Sequence, residues 1–470
     1  MKQTLERELK LAPGAGFVMP ELGGTRLPSR TFVSTYHDTP DLVLARHGVT
    51  FRHRVEDGAG VWQLKLPKGA ARIELEQAGP PARPPLELLA LLTAHLRGRT
   101  VVPVARLKTR REGVRVHGAD VVEDSVSVLV GQRVTLRFHE IEVELVEGDE
   151  QVLRRLETEL RRAGADVADE PFRPKLYRAL DLDAPVEPVQ VPPDARPGVA
   201  LGLALAEQRR RLLLHDPGTR LGSDPEDLHQ LRVATRRLRA FLRAGRPLLE
   251  PAWAESLRAE LGWLGRALGP ARDLDVLVGR LERDIETLGR DAGQAQSLLA
   301  GFEAERAAVR RGVVEALSSD RYLSLLDRLD QVSEPALSGE GPPLAEIWAA
   351  EWKRTRRAFA ALPDDPADDA LHAARIRVKR ARYAAELAEH ELGPGGARFV
   401  DAAKALQDVL GEHQDACVAE QRIRAWAETA PAGAQAAERL LRLEDGRKAD
   451  ARAAWPGAWR KLRRRAAKLA

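Results

Sequence analysis

His229 and His372 each head a run of cations at fixed spacing. Arg232, Arg236, Arg237 and Arg239 stand 3, 7, 8 and 10 residues after His229. Arg375, Lys379, Arg380 and Arg382 stand at the same offsets after His372. At about 100° per residue on a helix, the His and the +3, +7 and +10 residues share one face. Each phrase therefore reads as a helix with an imidazole and a stack of cations on one side. Such a surface suits a long, flexible polyanion better than a small molecule. The N-terminal half carries a second chemistry on alternating positions. Glu6, Glu8 and Lys10 share one face, as do Arg52 and Arg54, Gln63 and Lys65, and Arg72, Glu74 and Glu76. Arg106, Lys108 and Arg110 form another such set, and Glu140, Glu142 and Glu144 another. Crowded carboxylates repel unless divalent cations sit between them. Clustered Arg and Lys are stable facing phosphate oxygens, which take Arg bidentately and Lys as a point charge. Carboxylate-only ligation favours Mg²⁺ or Mn²⁺ over zinc.

The elements that must position these residues differ on the two sides of a Pro-rich stretch. Pro185, Pro188, Pro192, Pro193 and Pro197 mark residues 181–197 as an extended linker. Residues 1–180 are short alternating segments broken by Gly and Pro, which predict a β-rich domain. An antiparallel sheet with one wet face accommodates such alternation. Charges sorted into sets over six strands point instead to a closed barrel with a charged lumen. Residues 198–470 have helical periodicity and an internal repeat, about 198–335 and 343–470. Leu268-Gly269-Pro270-Ala271-Arg272-Asp273 follows the first phrase, and Leu410-Gly411-Glu412-His413-Gln414-Asp415 the second. From His229 to Asp273 is 44 residues, and from His372 to Asp415 is 43. Each copy also has a preceding basic helix, with Arg209, Arg210 and Arg211 in one and Arg354, Arg356 and Arg357 in the other. These patterns give an α+β multidomain fold class: a closed antiparallel β barrel with a charged lumen, then an all-α pair of duplicated helical bundles. Helix starts are expected at Ser223, with Pro225 behind it, and near Asp368.

The 470 residues suffice for two or three domains. Lys and Arg number 74 against 70 Asp and Glu, a net charge of only +4, so any strong field comes from placement. The single Cys417 allows no internal disulfide and no paired-cysteine metal knuckle. The charged first ten residues lack an apolar signal core, and no run approaches about 18 apolar residues. A cytoplasmic location with no membrane partner is expected. Aromatics are 4% of the chain, which disfavours single-stranded nucleic acid, whose binders add stacking platforms. Phosphorelay through a histidine is disfavoured by the duplication, because a relay needs one acceptor. Packing and ligand binding both remain open for His229 and His372.

The N-terminal series resembles the CYTH family, the class IV adenylate cyclases and thiamine triphosphatases. The resemblance rests on Glu6-Arg7-Glu8-Leu9-Lys10, Tyr36-His37-Asp38-Thr39, Phe51-Arg52-His53-Arg54 and Gln63-Leu64-Lys65-Leu66-Pro67, in order. Arg72-Ile73-Glu74-Leu75-Glu76, Glu140-Ile141-Glu142-Val143-Glu144 and Lys175-Leu176-Tyr177 complete the series. It implies an eight-stranded antiparallel β tunnel barrel with helices, which binds triphosphate with Mg²⁺ or Mn²⁺. Glu6, Glu8, Glu142 and Glu144, with Glu74 and Glu76, are the implied metal carboxylates. Lys10, Arg52, Arg54, Lys65, Arg72 and Arg106 are the implied phosphate ligands. Glu6, Glu8 and Lys10 are the expected catalytic set. The helical half resembles the CHAD family, the conserved-histidine α-helical domains, through both His-headed phrases. That resemblance implies a pair of duplicated four-helix bundles with inorganic polyphosphate as partner, and association with polyphosphate granules is a further expectation. The polyphosphate-binding set is Arg209, His229, Arg232, Arg236, Arg239, Arg354, His372, Arg375, Lys379 and Arg382. Together these point to metal-dependent triphosphate hydrolysis with polyphosphate binding. The alternatives are a non-catalytic polyphosphate-localisation protein or an adenylate cyclase.

Overall fold

The computed structural model describes residues 1–14, 16–166, 174–183, 190–289, 292–331, 341–430 and 433–469. The chain divides into two compact units, Met1–Pro188 and Val189–Ala470. Residues 184–189 of the expected linker lie outside the described residues, as do 332–340 between the repeats.

The first unit runs β1 (Lys2–Glu6), β2 (Glu8–Pro13), β3 (Thr25–Arg26), β4 (Arg30–Asp38), α1 (Val43–Arg46), β5 (Thr50–Glu56), β6 (Ala59–Lys68) and β7 (Ala71–Ala78). It continues with α2 (Leu86–Leu91), α3 (Thr93–Leu96), β8 (Val102–Val116), β9 (Ala119–Val130), β10 (Arg133–Leu145), α4 (Glu150–Arg162), β11 (Ala165–Asp166) and α5 (Lys175–Leu180). Two-residue turns fix the hairpin registers. Asp57-Gly58 joins β5 to β6 and His117-Gly118 joins β8 to β9, all four with positive φ, as a primed turn needs. The strand order is β1-β7-β6-β5-β4-β8-β9-β10-β2-β11, with β3 beside β8. All pairings are antiparallel. The sheet curls onto itself through the N-terminal segment, whose halves part at Arg7. Its first half pairs with β7, Glu6 opposite Arg72, and its second with β10, Glu8 opposite Glu144. Counted this way, eight long strands make the tunnel, and β3 and β11 are short additions.

The tunnel inverts the usual arrangement of a half-buried strand. On β10, Ile141 and Val143 point outward and pack beneath α4 against Leu156 and Leu160. Those four side chains are fully buried, and each stabilises by roughly 1.5–3 kcal/mol. Asp149 caps α4 by accepting from the Gln151 amide at 2.8 Å. The charged alternate positions are left to the interior. One end of that interior is apolar, where Leu176 and Tyr177 of α5 meet Tyr36, Leu107, Val126, Val128 and Phe138.

The second unit is helical: α6 (Pro197–Leu221), α7 (Pro225–Ala244), α8 (Pro251–Glu286), α9 (Ala292–Ser318), α10 (Asp320–Asp330), α11 (Leu344–Ala360), α12 (Asp368–Leu387), α13 (Glu389–Thr429) and α14 (Ala434–Ala466). The cap of α7 is Asp224 rather than Ser223; it accepts from the Glu226 amide, with Pro225 at the first helical position. α12 begins at Asp368 as expected. Helices α6–α10 fall within the first expected repeat and α11–α14 within the second. α7 packs on α12, so the His-headed phrases meet across the repeat. One core cluster draws Val278 and Leu281 of α8, Leu298 of α9, Ile423 of α13 and Leu440 of α14 together. That bundle is therefore built from both copies rather than from one.

Candidate functional sites

Within the first unit the tunnel encloses a cavity of about 120 Å³. Its walls include Glu6, Lys10, Arg52, Arg54, Lys65, Arg72, Glu74, Glu76, Glu142 and Glu144, ten of the residues expected from sequence. They come from β1, β2, β5, β6, β7 and β10, so a series scattered over 140 positions converges on one space. Lys65 donates to both oxygens of Glu6 at 2.6 and 2.7 Å. Lys10 donates to Glu142 at 2.8 Å and lies 3.1 Å from Glu8. Arg52 donates to Gln63 at 2.8 Å and to the Tyr36 hydroxyl at 3.2 Å. Gln63 in turn donates to Glu76 at 2.6 Å. The guanidinium of Arg54 stacks 4.1 Å from the Phe32 ring centroid. Arg72 lines the cavity and forms no ion pair among the described residues.

Glu8 does not line the cavity; it stands behind it against Lys10. Burial raises the Glu8 carboxyl, but Lys10, Lys65 and Arg72 outweigh burial and hold it below the usual range. Arg106 departs from expectation more sharply. It is exposed, as are Lys108 and Arg110, so that alternating set faces outward. The inward positions of β8 are Leu107, Thr109 and Arg111. Arg111 is the cation the cavity receives from this strand. It binds Asp124 at 2.8 and 2.7 Å and also pairs with Glu142. The reason is parity: Arg110 and Arg111 are adjacent, and the sequence alone leaves both faces of β8 basic.

Lys175 was quoted in the sequence series without a role, and it proves central. Its ammonium lies 2.6 Å from Glu142, 2.6 Å from Asp124 and 3.3 Å from Glu140. Burial pushes Glu140 up to about 7 despite Lys175 and Lys10. Burial, with Glu6 beside it, likewise pushes Glu144 up to about 7. Glu142 goes the other way, because Lys10, Lys175 and Arg111 outweigh its burial. Glu74 Oε1 and both Glu140 oxygens are buried without a hydrogen-bond partner. Glu6, Glu74, Glu76, Glu142 and Glu144 all line the cavity, but they are spread round it: among the described residues the one group of three acidic, His or Cys side chains with ligand atoms within 4.8 Å of one another is Asp368, His413 and Cys417 of the second unit.

In the second unit the two phrases occupy equivalent places. Arg232 donates to the Gly269 carbonyl at 2.6 Å and to Asp273 at 3.0 Å. Arg375 lies over Gly411, where an added Cβ would sit 3.1 Å from its Nη2. The Leu-Gly steps after each phrase thus make room for the +3 arginine. Arg236 and Arg375 each bury an Nε with no acceptor, as do Arg209 and Arg258, while Arg382 Nε has the Glu386 carboxylate at 3.4 Å. Arg209 pairs with Asp330, and Arg354 with Glu351 at 2.7 Å. Arg239 reaches α8 beside Gly262. Burial and Arg272 hold His229 below its usual pKa, so it stands as a neutral imidazole at pH 7. His372 buries Nδ1 without a partner. Arg258, paired with Glu255, is a member of this surface that spacing did not single out.

A CYTH domain model matches residues 4–170, and a CHAD domain model matches residues 203–424. An uncharacterized protein of Mycobacterium tuberculosis strain CDC 1551 / Oshkosh is 34% identical, over 84% of this chain and 82% of the relative. The crystal structure of the CHAD domain from the plant Ricinus communis is similar at 29% identity and a TM-score of 0.50. It covers 59% of this chain and 95% of that one. A Hippeastrum protein described by a dominant triphosphatase activity matches at 20% identity and a TM-score of 0.27. It covers 37% of this chain and 95% of that one.

Proposed function

Because the chain belongs to the family in which a CYTH domain is followed by a CHAD domain, we propose a triphosphatase tunnel joined to a polyphosphate-binding helical unit. The substrate is inorganic triphosphate or a closely related triphosphate. The observation that carries the first half is the convergence of cations and carboxylates on one cavity. Cations come from β2, β5, β6, β7, β8 and α5, and carboxylates from β1, β7 and β10. Phosphoryl transfer spreads negative charge over the equatorial oxygens, so positioned cations supply most of the catalysis. Arg52, Arg54, Lys65, Arg72 and Arg111 grip and orient the phosphate chain. Lys10 and Lys175 hold Glu142 ionised and in place. Bound Mg²⁺ or Mn²⁺ supplies further positive charge to the phosphate oxygens. The deciding assay is phosphate release from tripolyphosphate with either metal. Glu6→Gln and Glu8→Gln are each expected to abolish turnover. Wild-type rates in both variants refute the site assignment, and cyclic AMP formed from ATP favours the cyclase reading instead.

The second half rests on four buried guanidinium nitrogens without acceptors, the Nε atoms of Arg209, Arg236, Arg258 and Arg375. A buried donor left unsatisfied costs about 1–3 kcal/mol, and phosphate oxygens relieve it. The aromatic side chains nearby are buried. Tyr383 is 3% exposed, with the Arg382 guanidinium over its ring, and Trp348, Phe359 and Phe399 belong to the core. A bare phosphate chain suits this surface better than a base-bearing one. Charge reversal at Arg236 and Lys379 together is expected to weaken polyphosphate binding by at least tenfold in filter-binding assays. Equal competition by single-stranded RNA at matched phosphate concentration supports a nucleic-acid ligand.

A further inference from the structure

Lys379 occupies the +7 position of the second phrase, where the first phrase has Arg236. It is the one lysine among the eight basic residues at matched positions of the two phrases. The choice stands out in a chain with no lysine at all between residues 176 and 352. Arginine keeps its charge in any protein environment, whereas a buried lysine can discharge.

The surroundings of Lys379 are cationic on every side that bears charge. α7 presents Arg236 and Arg232, and α12 itself presents Arg375 and Arg382. The acids near this cluster are engaged with other members of it. Asp273 of α8 holds Arg232, Asp415 of α13 faces Arg375, and Glu386 binds Arg237 at 2.9 Å. α11 meets this stretch through the neutral Thr355, whose hydroxyl donates to the Arg377 carbonyl. From α6, Arg209 is paired with Asp330. No salt bridge reaches Lys379 among the described residues. The Nε atoms of Arg236 and Arg375 around it are buried without acceptors, and that of Arg382 has only the Glu386 carboxylate at 3.4 Å.

We propose that the cation cluster on α7 and α12 takes up a proton at Lys379 when it binds a polyphosphate chain. This coupling makes affinity depend on pH across and above neutrality, and it rests on the polyphosphate reading above. Without an anion, four arginines and burial disfavour a fifth charge, and they push Lys379 down to about 7. A polyanion laid across the same arginines reverses the local field and returns the amine toward its ordinary value near 10.5. The free protein then carries Lys379 mostly neutral above pH 7, and the complex carries it charged up to about pH 10. Affinity is therefore flat below pH 7. It falls by at most tenfold per pH unit above it, as linkage of one proton requires.

The test is isothermal titration calorimetry at pH 8 and low salt, with polyphosphate of about one hundred units, in two buffers of different ionisation enthalpy. Chains of that length leave few titrating end groups. The wild type is expected to take up between half and one proton per site. Lys379→Arg is expected to bind with uptake near zero. Equal uptake by the wild type and Lys379→Arg overturns the proposal while leaving polyphosphate binding intact. Absence of binding by the wild type overturns the polyphosphate reading itself. Lys379→Met guards against a folding artefact: it is expected to melt above the wild type at pH 6, where the lysine is charged. A lower melting temperature for Lys379→Met at that pH also overturns the proposal.

Discussion

Arg106 and Arg111 lie on one strand, an odd number of residues apart, and so face opposite sides of the sheet. One is exposed and the other lines the cavity. Arg72 offers a cleaner probe of the inner face than Arg111, because among the described residues it has no ion pair to orphan when it is removed. Arg72→Ala is expected to lower kcat/KM for tripolyphosphate by about 10²-fold, the range for deleting one preorganised charge donor. Arg106→Ala is expected to stay within twofold. A loss from Arg106→Ala as large as that from Arg72→Ala would show that the wrong face was chosen. Glu144 allows a test that needs no substrate. Its carboxyl titrates near 7 in the fold against 4.5 ordinarily, so its ionised form is the destabilised one. Stability on its account is greatest below pH 4.5 and is lost as pH rises through 7. Glu144→Gln is therefore expected to stabilise the metal-free protein by about 1–3 kcal/mol at pH 8 and by nothing at pH 4, read from thermal melts. The same variant is expected to lose much of the stabilisation that Mg²⁺ confers at pH 8.

At the scale of elements, β10 shows how one strand can serve as wall and site together. Its inward side chains run from Phe138 through Glu140 and Glu142 to Glu144. The apolar end meets α5, and the charged end faces the cavity. α5 does both jobs within one turn: Leu176 and Tyr177 fill the apolar end, while Lys175 reaches Glu142 and Asp124. Leu176 is 4% exposed, and Leu176→Ala is expected to destabilise by about 2–4 kcal/mol in denaturant melts. It should lower turnover as well, because the residue that aims Lys175 is the next one along. The alternation of charge on six segments made the strands legible, and the His-headed phrases made α7 and α12 legible. The face that β8 turns inward was not legible, because both of its faces carry arginine. Nor was the role of α5, a short helix whose importance comes from strands far away in sequence.

At the scale of the whole molecule, the two compact units carry one chemistry under the proposed function: arranged cations for phosphate oxygens. Net charge of +4 over 470 residues gives no sign of it. Polyphosphate affinity is expected to fall steeply between 50 and 200 mM salt, by about 10³-fold or more if six or more phosphates are contacted. A flat salt response would argue against a phosphate-tracking surface. Glu6→Gln is expected to lose tripolyphosphate hydrolysis yet bind long polyphosphate as the wild type does, since Glu6 belongs to the first unit alone.

The sequence by itself determined which residues are chemically equipped and in what order they come. Periodicity sets which side chains share a face, so the duplicated phrases, the division into a β-rich and a helical half, and most of the tunnel carboxylates could be read directly. Tertiary structure decided what each charge meets. It put Arg111 rather than Arg106 in the cavity, set Glu8 behind Lys10, brought Lys175 to Glu142, and joined α7 to α12 so that Lys379 faces four arginines. These outcomes depend on strand register, on closure of the sheet at Arg7 and on packing between repeats. All three bring together residues far apart in the chain, which local spacing cannot express.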